Sequence, residues 1–138
     1  MLRLTSHILL SFVLVTDMVE RRHHDLKAWQ EGMELAKEVY SVTALFPKEE
    51  IYGLTSQMRR SAVSVPSNIA EGAARGGNKE FLHFLVISRG SLMELETQII
   101  LSHKLGFINN HELLLEKVNK VFALLNGLIA RLKERRET

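Results

Sequence analysis

A chain of 138 residues, 46% hydrophobic and 25% charged, is long enough to bury one core without metal or disulfide support and fits a single globular domain. With no cysteine it can form no disulfide, offer no thiol nucleophile and hold no thiolate-bound metal, a usage that suits a reducing, cytoplasmic setting. A formal net charge of +2 permits contact with nucleic acid without arguing for it.

The opening "MLRLTSHILLSFVLVTD" combines Arg3 with an apolar run over residues 8–15. That run is too short to span a bilayer, and no small-residue cleavage pattern follows it. Residues 1–17 are therefore set apart as a leader, readable as an upstream in-frame extension before a start at Met18, as an export signal, or as an added segment. The domain is expected over residues 18–138, without a membrane span.

From Leu26 the apolar residues fall at helical spacing. One stripe holds Leu26, Trp29, Met33, Ala36 and Tyr40, and a second holds Leu35, Val39, Val42 and Phe46. Pro47 is expected to close this helix, because the residue before a proline is pushed out of the α region. A second helix runs from about Leu54 with Met58, Ala62, Val65, Ile69 and Ala73 on one face, and ends at Gly76-Gly77. Pro66 lies inside it. The helix is expected to stay continuous with a bend, packing and nearby serines offsetting the lost donor. Asn78 is the expected cap of a third helix, whose seam is Phe81, Leu85, Ser88, Leu92, Leu95 and Ile99. Gly106 and Asn109-Asn110 break the pattern. A fourth helix follows, with Leu114, Val118, Val121, Leu125, Leu128 and Leu132 in register and the basic end "RLKERRET".

Four amphipathic helices with short connections predict an all-α fold, an antiparallel up-down four-helix bundle. Their stripes are wider than one seam requires, since Leu82, Val86, Met93, Ile100, Leu115, Phe122 and Ile129 flank the cores. A homo-oligomer is expected to cover the surplus.

Little catalytic chemistry is legible. Glu80–His83 and Glu20–His23 match the Glu-x-x-His spacing of bundle metal sites, but read as solvated pairs, so no metal and no cofactor are expected. The serines lie in no nucleophile elbow, and no phosphate-binding glycine loop is present. The chain is expected not to be an enzyme. Charge is more informative. Arg59, Arg60, Arg75 and Lys79 cluster around helices two and three, and Arg131, Lys133, Arg135 and Arg136 close the chain, whereas Glu31, Glu34 and Glu38 gather on helix one. Such segregation can form a face that tracks a phosphate backbone. The rival is a protein-interaction scaffold without nucleic-acid binding, whose charges serve solubility.

Residues 57–108 carry Asn68-Ile69-Ala70-Glu71-Gly72, then Arg75, Phe81, Phe84-Leu85, Gly90-Ser91-Leu92 and Glu94-Leu95-Glu96 in order, after "DLKAWQEGMELAKEVY" over residues 25–40. In these elements the chain resembles the bacterial four-helix-bundle proteins encoded by intervening sequences in 23S ribosomal RNA genes. The resemblance implies a barrel-shaped homopentamer. It also implies kinship with the accessory protein of diversity-generating retroelements, which binds nucleic acid and a reverse transcriptase. A reverse-transcriptase partner is thus expected only if the chain is linked to a retroelement. Pro66, Asn68, Glu71 and Gly72 form the structural part of this signature. Glu71 and Arg75 stand at the spacing of a helical ion pair, Asn68 is expected to bond across to Ser88 or Ser91, and Gly72 should admit a close neighbour.

Overall fold

Four α-helices carry the residues described by this computed structural model, 22–137, with backbone alone for 136 and 137. They are α1 (Lys27–Thr43), α2 (Leu54–Ala74), α3 (Asn78–Lys104) and α4 (Glu112–Glu137). The leader, residues 1–17, lies outside the described residues. Short 3₁₀ turns at Arg22–Asp25 and Lys48–Glu50 precede α1 and α2. Among the described residues there is no strand, and no helix is long and apolar enough to cross a membrane.

Cross-helix contacts fix direction. Arg59, early in α2, bonds to Thr43 at the end of α1, while Gly32 lies against Val65 and Pro66. Between α2 and α3, Met58 meets Ser102, Val65 meets Ser88, and Gly72 lies against Phe81 and Phe84. Glu31 pairs with Lys120 at 3.0 Å and Glu38 with Lys117 at 3.7 Å, so α4 descends as α1 rises. Each of these pairs is antiparallel, and α4 closes the circuit on α1.

The core is the set of stripes the sequence spells out. Leu35 and Val39, Met58, Val65 and Ile69, Leu85, Leu92, Leu95 and Ile99, and Val118, Leu125 and Leu132 are all buried. Each such side chain contributes about 1.5–3 kcal/mol of burial. In α1 only the second expected stripe is central. Trp29 and Ala36 lie at the rim, and Met33 and Tyr40 are each 46% exposed.

Helix ends depart from expectation in two places. α1 stops at Thr43, before Pro47 can act: the Thr43 hydroxyl donates back to the Val39 carbonyl at 2.7 Å, and tighter turn bonds then swing Phe46 into the core. Asn78 is the first helical residue of α3; Gly77 holds the cap position in extended backbone, with no side-chain bond to the exposed helix start. Other ends follow simple rules. Gly76, at φ +84°, takes the left-handed turn after α2, leaving residues 75–77 to connect α2 to α3. Gly106, at φ +81°, ends α3 with the Phe107 amide bonded to Ser102 and its own to His103, a Schellman pair. Gly90 and Gly127 lie mid-helix with open space where a Cβ would stand.

α2 runs unbroken through Pro66. Side chains bond the carbonyls just before the proline: Asn68 Nδ2 donates to Ser64 O at 2.8 Å, and Ser88 Oγ donates to Val65 O at 2.8 Å. Local order at the proline is thus tied to the packing of α3.

Candidate nucleic-acid interface

The antiparallel arrangement sorts the basic residues by end. The start of α1, the end of α2, the start of α3 and the end of α4 share one end of the bundle. There Arg22 lies over the Phe81 ring at 5.5 Å, Lys79 is exposed in the first turn of α3, and Arg131, Lys133 and Arg135 are exposed on the last turns of α4. Arg131 borders a recess with Asp25, Leu26, Ala28, Leu124 and Leu128, which sets the α4 end against the α1 start. The side chain of Arg136 lies outside the described residues. Asp25, Glu71, Glu80 and Glu134 share this end and temper its charge, but the basic groups outnumber them.

Arg75 also belongs here, and it is doubly engaged. Its Nη2 lies 2.9 Å from Glu71 Oε1 and its guanidinium 5.0 Å from the Phe84 ring centroid. The ion pair is half exposed and adds little stability. Its effect is to hold the guanidinium beside the Phe84 ring on α3. Among the described residues, ion pairs engage Arg75, Lys117 and Lys120, and leave Lys79, Arg131 and Lys133 unpaired.

Arg59 and Arg60 do not join this cluster. They stand toward the opposite end, near the close of α1. Arg59 Nε donates to Thr43 Oγ1 at 3.0 Å, and its guanidinium covers the Tyr40 ring at 4.5 Å, so this arginine clamps α1 to α2. Arg60 is exposed at the edge of a cleft between α2 and α3.

Three aromatic rings pack together at the basic end, a grouping the sequence did not reveal. His23 and His24 pack at 4.4 Å, and Trp29 lies 5.1 Å and 5.2 Å from them. Adjacent histidines closely followed by the sole tryptophan were the available signal. Spacing alone placed Trp29 on a core stripe.

The signature residues act inside the fold. Asn68 does not reach Ser88 or Ser91 directly: its Nδ2 donates to Ser64 Oγ at 2.9 Å, and that hydroxyl pairs with Ser91 Oγ at 3.0 Å. Ser64 thus relays the link across the seam. A Cβ on Gly72 would stand 2.7 Å from Phe84 Cβ and 3.0 Å from Phe81 Cδ2, so only glycine lets α2 and α3 approach this closely. Glu80 and His83 are exposed; Glu20 lies outside the described residues.

The family model described as 23S rRNA-intervening sequence protein matches residues 24–127. The match spans Arg59, Arg60, Arg75 and Lys79 and stops short of Arg131. Comparison with curated proteins gives no match.

Proposed function

The chain belongs to the 23S rRNA-intervening sequence protein family, and from that premise we propose that it is a non-enzymatic, homo-oligomeric up-down bundle that binds RNA or DNA through the phosphate backbone. The observation that carries the reading is the convergence of Arg22, Lys79, Arg131 and Lys133 from separate elements at one end of the molecule, beside Arg75. Exposed cations on several elements can follow successive phosphates, and His23, His24 and Trp29 offer flat faces beside them.

Assembly is supported by two apolar surfaces on different sides. Met33, Tyr40, Ile51 and Val63 are exposed along the α1–α2 groove, and Ile87 and Leu101 are exposed on α3. Two unlike faces suit a head-to-tail contact, which repeats until a ring closes, and the resemblance to barrel-forming relatives favours a pentamer. Cytoplasmic residence accords with the absence of cysteine. A ring also multiplies one modest basic end into a concentrated field.

Binding to a short single strand should weaken steeply with added salt. Reversing Lys79 and Lys133 to glutamate should flatten the salt dependence by about two phosphate contacts, with oligomer size and helicity unchanged. Equal binding by the wild type and this variant would remove the assignment.

A further inference from the structure

A cleft of about 530 Å³ opens between α2 and α3, lined by Gln57, Arg60, Ser61 and Ser64 on one wall and Glu94 and Gln98 on the other. Glu94 and Gln98 are one helical turn apart and share a face of α3, while Gln57 and Arg60 stand likewise on α2. Glu94 therefore brings a carboxylate acceptor to one wall and Arg60 a guanidinium donor to the other, and the glutamine amides carry both kinds of group. Arg60 and Glu94 form no ion pair with each other or with any other described residue. The Gln98 amide makes no hydrogen bond, and its Oε1 is buried without a partner. An unmet buried acceptor is a standing cost to the fold.

The complementary ligand is planar, with donors along one edge and acceptors along the next. We infer that the cleft receives one unpaired guanine of a bound strand, an inference that rests on the nucleic-acid reading above. Guanine N1–H and N2–H face the two oxygens of the Glu94 carboxylate, while O6 and N7 accept from Arg60. The donor edge is open only in an unpaired base. Other bases fit the carboxylate less well. Adenine turns a ring lone pair toward the carboxylate, cytosine offers one amino group beside a ring acceptor, and uracil flanks its single N–H with carbonyls. The cleft stands about four helical turns, roughly 20 Å, from Arg75 and Lys79. A strand that engages both must therefore run lengthwise along α2 and α3, and the cleft would add base selection to binding that otherwise reads only phosphate.

The test compares short uridine-rich RNA strands carrying one central guanine, adenine, cytosine or uridine, by fluorescence anisotropy at fixed low salt. The wild type should favour the guanine strand by about tenfold or more, the discrimination of a good bidentate base contact. Glu94→Gln, at an exposed position, should bring the ratio of guanine to uridine strands close to unity while the strands still bind. Equal binding of all strands by the wild type, preference for another base, or a guanine preference that survives Glu94→Gln overturns the pocket and leaves phosphate binding standing. Failure to bind any strand overturns the nucleic-acid reading and the pocket with it.

Discussion

Gly72 shows how much one missing atom can decide. Its bare Cα lets Phe84 and Phe81 sit where a methyl would collide. Gly72→Ala should therefore lower stability by about 1–3 kcal/mol through overpacking, read as an earlier urea midpoint at unchanged slope. Better helix propensity alone would shift the midpoint the other way. Arg59 carries the opposite lesson. Its charge suggested a phosphate contact, yet the side chain is occupied by Thr43 and Tyr40, partners sixteen and nineteen positions upstream that no local pattern links to it. Asn68 was legible as a register-fixing polar residue but not in its route, because the relay through Ser64 depends on the rise of α2 against α3.

The helices differ in how openly the sequence declares them. The α4 seam is one stripe of leucine and valine, and every member is buried. α1 carries two neighbouring stripes of similar apolarity, and periodicity cannot choose between them. In the folded chain α1 turns Gly32 toward Pro66 and Val65, and this rotation leaves Met33 and Tyr40 outside. The basic end was legible as separate runs; its convergence was not, since it follows from chain direction rather than spacing. Gly90 and Gly127 make the open faces of α3 and α4 testable. In an isolated bundle Gly90→Ala should stabilise by about 0.5–1 kcal/mol, the ordinary propensity gain, measured by thermal unfolding in dilute solution. A loss that appears only at assembling concentrations would place a neighbouring chain against that position.

For the whole molecule, the two apolar faces give assembly a direct test. Val63→Asp in the groove and Leu101→Asp on α3, each alone, should reduce the particle seen by sedimentation to the 15.7 kDa chain with helicity retained. Unchanged particle size in both variants would remove these faces from the interface. A partner that survives only one substitution would indicate an isologous pair instead of a ring.

The close approach at Gly72 also has a meaning in time. It lies beside residues 75–77, the short connection between α2 and α3, so its contacts cost little loop closure. The pairing of α1 with α4 joins distant parts of the sequence and should come later. Gly72→Ala should accordingly slow refolding, while Leu128→Ala, in the last helix, should mainly hasten unfolding, as chevron measurements would reveal. The signature at the middle of the chain would then mark where folding begins as well as where two helices meet.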